Sequence, residues 1–193
     1  MKLTIGKQEL IQALNTVQGV LEKTGESILS HIKLDVKTDS LSMTASNSQN
    51  IWITTTYSEG FTVEEEGSIC IKGHRLVSIA KVLHNPSVVL SSEESSSSNE
   101  TLNISNGKAN FKILECKSAS DYPPMPDIED TITQIEIEDS ELGRIIDETI
   151  FSIGNKERKR HNGVRIEKKQ EEKEDFRMIS KEGTKLYITQ RKN

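Results

Sequence analysis

Residues 1–36 and 133–168 align at a constant offset of 132 without a gap, setting Leu10 over Leu142, Leu14 over Ile146, Ile32 over Val164 and Leu34 over Ile166. Beyond Val36 the offset drifts by a few residues, yet Leu41-Ser42-Met43 still falls on Phe176-Arg177-Met178 and Ile51-Trp52-Ile53 on Leu186-Tyr187-Ile188. Self-similarity over this length marks a duplicated supersecondary unit. Residues 67–116 form a fainter copy between the two, again reading strand, helix and three apolar-alternating runs. The chain is therefore expected to contain three β-α-β-β-β repeats, an odd number.

In the first repeat Lys2 to Ile5 alternates as a strand, and Lys7 to Leu21 sets Leu10, Ala13, Leu14, Val17 and Leu21 on one helical stripe. The opposite stripe carries Gln8, Gln12, Asn15, Gly19 and Lys23, a row of uncharged amides ending in a cation, with Glu9 and Glu22 displaced to the flanks. Ile28 to Val36, Leu41 to Ala45 and Ile51 to Tyr57 read as an antiparallel meander, with Thr38-Asp39-Ser40 supplying turn chemistry.

The second repeat predicts a strand over Ser68 to Ile71 and a helix over Gly73 to Leu83, burying Leu76, Ile79, Ala80 and Leu83 and stopped by Asn85-Pro86. His74, Ser78 and Lys81 stand opposite that core stripe with Arg75 beside them, a pattern that fits a solvated face as well as a binding one. Strands are expected over Ser87 to Leu90, Thr101 to Ser105 and Ala109 to Cys116, with Asn106-Gly107 as a two-residue hairpin. Ser91 to Glu100 is polar and of low complexity and is expected to remain a mobile loop. In the third repeat a strand over Thr133 to Glu138 leads to a helix over Ser140 to Ile153, with Leu142, Ile145, Ile146, Thr149 and Ile153 inward and Asp139 as N-cap. Strands over Gly163 to Glu167, Phe176 to Ser180 and Thr184 to Thr189 complete it.

The proline-rich run Asp121 to Pro126 separates the second repeat from the third. The expected organisation is one two-repeat domain over residues 1–122, a linker over 123–132 and a half-domain over 133–193. Hydrophobic content of 33% suits two modest cores better than one large one. A formal net charge of −5 argues against a protein that grips nucleic acid over its whole surface and leaves room for a local basic face. The two cysteines, Cys70 and Cys116, lack C-x-x-C spacing and histidines at ligand intervals, so reduced structural thiols and a cytoplasmic location are expected. No apolar stretch approaches the ~20 residues of a membrane span, and the N-terminus opens as a strand instead of a signal.

The order of elements and several local strings together resemble one family, the bacterial beta sliding clamp, the processivity subunit of DNA polymerase III. The strings are Met1-Lys2-Leu3-Thr4-Ile5, Ser27-Ile28-Leu29, Leu41-Ser42-Met43-Thr44-Ala45, Ser118-Ala119-Ser120-Asp121-Tyr122-Pro123, Thr149-Ile150-Phe151-Ser152-Ile153 and Asn162-Gly163-Val164. Each is weak alone; their order and spacing are fairly specific. The resemblance implies an α+β DNA clamp fold, with antiparallel sheets outside and helices lining one face. It further implies a three-domain family chain, of which these residues supply the N-terminal domain and the first half of the central one. In the family two subunits join head to tail through first and third domains, so ring closure is not expected from these residues.

By family position the resemblance implies DNA-facing roles for Lys23, His74, Arg75, Lys81, Lys156 and Arg158. A processivity factor must stay on double-stranded DNA without holding any base, so sparse phosphate contacts that exchange easily suit it. The resemblance also implies a cleft that takes peptides of polymerase III subunits and the clamp loader. One wall would comprise His161, Ser180, Gly183, Thr184 and Lys185, with His161 and the Lys181-Glu182-Gly183-Thr184 string departing from the usual pattern.

No G-x-S-x-G, Walker A or H-E-x-x-H string appears, and the four histidines have no partners at diagnostic spacing, so no active site and no cofactor are expected. The acidic run Asp127, Glu129, Asp130, Glu136 and Glu138 reads as a solvated linker flank instead of a metal site. Two further readings stay open. In one, the third repeat pairs with its copy in a second chain, making a homodimeric adaptor or clamp antagonist; in the other, a small-molecule enzyme uses the same architecture.

Overall fold

Alternating apolar residues become strands and the two 3.6-periodic stretches of the first two repeats become helices. The structure, a computed structural model, describes residues 1–22, 27–48, 51–94, 100–125, 139–150, 164–168, 176–182 and 185–190. It divides into two compact units, Met1–Pro126 and Asp127–Asn193.

The first unit runs β1 (Lys2–Gly6), α1 (Lys7–Gln18), β2 (His31–Lys37), β3 (Ser40–Ser46), β4 (Trp52–Tyr57), β5 (Phe61–Glu65), β6 (Gly67–Lys72), α2 (Gly73–Val82), β7 (Ser87–Glu94), β8 (Glu100–Asn106) and β9 (Ala109–Ser118). The strands form one antiparallel sheet of order β4-β3-β2-β6-β9-β8-β7-β1-β5. Each repeat gives its first strand to the other. β1 pairs with β7, Leu3 opposite Leu90 and Ile5 opposite Val88, while β6 pairs with β2, Ile71 opposite Ile32 and Ile69 opposite Leu34. The blocks β4-β3-β2-β6 and β9-β8-β7-β1 are thus the same arrangement with the repeats interchanged, an approximate dyad.

The dyad breaks at one place. β9 is a single long strand whose end reaches β6, Ser118 opposite Ile69 and Lys117 opposite Cys70. Its counterpart in the first repeat is interrupted after Tyr57 by Ser58-Glu59-Gly60, with Gly60 at φ 83, and resumes as β5 on the outer edge of β1. β5 was not anticipated. Its Phe61 and Val63 are only half-buried, and Glu64 and Glu65 give it the polarity of a loop.

Both helices pack on the shared core and against each other. α1 buries Leu10, Ala13, Leu14 and Val17, the expected stripe, but ends at Gln18, three residues early; Val20 and Leu21 enter the core from the following turn. α2 buries Leu76, Val77 and Ala80, leaving Ile79 half-buried, so its core stripe is rotated toward Val77. Asn106, buried, fixes the turn after α2. Its Oδ1 accepts from the backbone N–H of His84 and Asn85, both at 2.9 Å, and its Nδ2 donates to the carbonyls of Asn85 (2.9 Å) and Ser87 (2.7 Å). The adjoining Gly107 takes φ 67, as the hairpin requires. The expected loop after Leu90 is partly strand, since Ser91 to Glu94 continue β7 by pairing with β8; residues 95–99 lie outside the described residues.

The second unit holds α3 (Asp139–Ile150), β10 (Arg165–Lys168), β11 (Phe176–Glu182) and β12 (Lys185–Gln190), the strands forming an antiparallel sheet β10-β11-β12 with α3 packed on β11 and β12. α3 starts at Asp139, so that residue belongs to the first turn instead of capping it. Ile145 and Thr149 are buried as expected, and the Thr149 hydroxyl donates to the Ile145 carbonyl at 2.9 Å. Leu142 and Ile146, expected inward, are exposed. The expected strand 133–138 and Ile153 lie outside the described residues.

Candidate nucleic-acid interface

α1 and α2 present their outer faces as a surface of amides, hydroxyls and cations. On α1 this face comprises Gln8, Gln12, Asn15 and Thr16, all exposed, which with Ile11 line a shallow open depression. The amides are partly ordered by one another, since Gln18 Nε2 donates to Asn15 Oδ1 at 2.8 Å and the Thr16 hydroxyl donates to the Gln12 carbonyl at 3.1 Å.

The two carboxylates that flank α1 are drawn away from this face. Glu9 lies over Gly6 and Gly60, filling space that a side chain at Gly6 would need. Glu22 Oε1 accepts the backbone N–H of Ser48 at 3.1 Å. Both carboxylates thus have their contacts off the amide row, while their charge still acts over about a Debye length.

α2 supplies the cations. His74, Arg75, Ser78 and Lys81 are all exposed on its outer side. His74 and Arg75 occupy the first turn, which carries no acidic residue, whereas α1 has Glu9 there. A cation such as Arg75 at the positive end of a helix costs a few tenths of a kcal/mol. His74 Nε2 donates to the Glu22 carbonyl at 3.3 Å, tying the start of α2 to the segment after α1. The Ser78 hydroxyl donates to the His74 carbonyl at 2.7 Å. Lys81 sits in the last turn, where the helix dipole stabilises it.

A residue absent from the sequence expectation joins this flank. Lys112 of β9 lines an open depression together with His74, Arg75, Ser78, Ile79 and Ile113, and its ammonium lies 3.8 Å from Glu93 Oε2. The only sequence signal for it is its outward place in an alternating strand, which says nothing of the helix beside it. Lys23, Lys156, Arg158, His161, Gly183 and Thr184 lie outside the described residues. Ser180 and Lys185 stand on β11 and β12, opposite Tyr187 and Glu182 respectively.

Neither of the two cysteines is an activated nucleophile. Burial pushes the Cys70 thiol up to about 12 and the Cys116 thiol to about 11, so both stay protonated near neutrality. Burial likewise raises the Tyr122 phenol to about 12. His31 is buried on β2, and desolvation lowers its pKa against the opposing effect of a hydrogen bond with the Ser27 carbonyl. Among the described residues no three His, Cys, Asp or Glu side chains gather at metal-binding distance, and no helix is long and apolar enough to cross a membrane.

Residues 1–126 match the family described as DNA polymerase III beta subunit, N-terminal domain. The chain is 31% identical over 194 residues to the beta sliding clamp of Caulobacter vibrioides, covering 98% of this chain and 50% of that protein. It is 31% identical over 134 residues to the beta sliding clamp of Helicobacter pylori, covering 69% of this chain and 34% of that protein. The crystal structure of the Caulobacter crescentus beta sliding clamp superposes with a TM-score of 0.85 at 30% identity, over 99% of this chain and 50% of that one. The sliding clamp of Bacillus subtilis superposes with a TM-score of 0.85 at 26% identity, over 100% and 50%. The chain thus spans about half the length of the C. vibrioides relative.

Proposed function

Because this chain belongs to the DNA polymerase III beta subunit family, the sliding clamps, we propose that it acts as part of a non-enzymatic processivity factor that tethers DNA polymerase III to duplex DNA. In this reading residues 1–122 are the N-terminal clamp domain, 123–132 a linker and 133–193 the first half of the central domain. The observation that carries it is the paired outer face of α1 and α2, where amides and cations are exposed and Glu9 and Glu22 are turned aside. Such a face suits phosphates held loosely and without base readout, as a sliding protein needs.

His74, Arg75 and Lys81, with Lys23, Lys156 and Arg158, are the proposed DNA-facing residues. His161, Ser180, Gly183, Thr184 and Lys185 are proposed as one wall of a cleft for peptides of polymerase III subunits and the clamp loader. The location proposed is the cytoplasm. The test is duplex DNA binding measured across a salt series. The logarithm of affinity should fall linearly with the logarithm of salt for any sequence, and Arg75→Gln with Lys81→Gln should reduce the slope by about 0.9 for each phosphate contact removed. An unchanged slope would overturn the assignment of these two residues.

A further inference from the structure

We propose that Asn106 is a deamidation site that the native turn after α2 keeps closed, and that its conversion to an acid breaks that turn. Asn106 is followed by Gly107, and an asparagine-glycine pair is especially prone to this reaction, because glycine puts no side chain in the way of its own nitrogen. The Gly107 backbone nitrogen attacks Asn106 Cγ, and the new C–N bond closes a cyclic imide. The Cγ–Nδ2 bond breaks, and ammonia leaves with the proton given up by Gly107. Water then opens the imide at either carbonyl, leaving aspartate or isoaspartate.

The fold opposes the first step. Asn106 is 2% exposed, and both ends of its amide are fully used. Oδ1 accepts from the N–H groups of His84 and Asn85, each at 2.9 Å, and Nδ2 donates to the carbonyls of Asn85 at 2.9 Å and Ser87 at 2.7 Å. The backbone beside it is fixed as well, with Gly107 at φ 67 and Asn106 paired to Ala109 across the hairpin. Closing the imide turns the amide out of these bonds, and expelling ammonia removes both donors. The reaction therefore waits for the turn to open.

The same turn explains why so labile a pair stands there. A Cβ at Gly107 would overlap the Asn85 side chain, and φ 67 strains most other residue types. At position 106 the carbonyls of Asn85 and Ser87 need a donor while the N–H groups of His84 and Asn85 need an acceptor, and among side chains of this length only asparagine supplies both. An acid at this position keeps its acceptors and loses both donors, so its carboxylate faces the Asn85 and Ser87 carbonyls with charge of the same sign. Isoaspartate in addition lengthens the backbone at the hairpin. The inference does not depend on DNA binding.

The test follows the 193-residue chain in mildly alkaline buffer, folded and in urea, by the mass gain of the peptide that contains position 106. The rate at Asn106 should be at least about tenfold lower in the folded chain and should rise with urea in step with the loss of the native Trp52 fluorescence. Asn162-Gly163, the other asparagine-glycine pair in the sequence, calibrates the chemistry in urea, where the two sites should react at similar rates. Asn106→Asp, which carries the product without the reaction, should unfold at a lower urea midpoint, and loss of folding in that variant is the same effect carried further. Equal rates at Asn106 in the folded and unfolded chain would overturn the proposal, and so would an unchanged midpoint in Asn106→Asp.

Discussion

The first and third repeats carry one apolar pattern in two environments. Leu34 sits between β3 and β6 and is wholly buried; Ile166, its equivalent, is half exposed on β10. The helix stripes differ in the same way, Leu10 and Leu14 against Leu142 and Ile146. A repeat's sequence thus specifies which face is apolar. Whether that face is covered depends on a second repeat, which in the first unit arrives through reciprocal exchange of β1 and β6.

The sharpest way to break this comparison is to truncate equivalent residues. Leu14→Ala should destabilise the first unit by about 2–5 kcal/mol, since a cavity opens in a closed core. Ile146→Ala should cost less, about 1–2 kcal/mol, because Ile146 is already 39% exposed. Urea titration separates the two, with the fluorescence of Trp52, in β4, reporting the first unit. Equal losses would show that the two stripes are covered alike.

A somewhat smaller loss is expected from Asn106→Ala. It strands the backbone N–H groups of His84 and Asn85 and should cost the first unit about 2 kcal/mol in the same titration. An unchanged midpoint would mean that the turn after α2 does not depend on this side chain.

A third, smaller effect distinguishes the repeats by pH. His31 has a lowered pKa in the folded state, and the equivalent position at the offset of 132 is Gly163. As pH falls below about 6.5 the unfolded chain takes up a proton that the folded state resists, so stability drops until the lowered folded pKa is passed. Above pH 6.5 this contribution is fully present. His31→Gln should flatten the acid limb of the first unit's stability profile, and an unaltered limb would assign it to other groups.

Much of this was legible in the residues. Helical stripes and strand alternation placed α1, α2 and the meanders because local periodicity records which face is buried. Strand order was not legible, since the pairing of β1 with β7 and of β6 with β2 joins residues far apart in sequence. The polar Ser91 to Glu94 became strand because backbone hydrogen bonds to β8 do not depend on side-chain polarity. β5 was missed because its apolar residues are half-buried at a sheet edge. At the candidate interface, His74, Arg75 and Lys81 could be read from their position opposite the α2 core stripe. Lys112 could not, because only the tertiary fold brings β9 beside α2. The inward assignment of Leu142 and Ile146 failed for the reason that separates the repeats, a stripe without its covering partner.

Amide hydrogen exchange tests that difference most directly. The account predicts that amides of α1 around Leu10 and Leu14 exchange only through global opening of the first unit, while those of α3 around Leu142 and Ile146 are weakly protected in dilute protein. Protection of α3 that equals that of α1 in dilute, monomeric protein would contradict it.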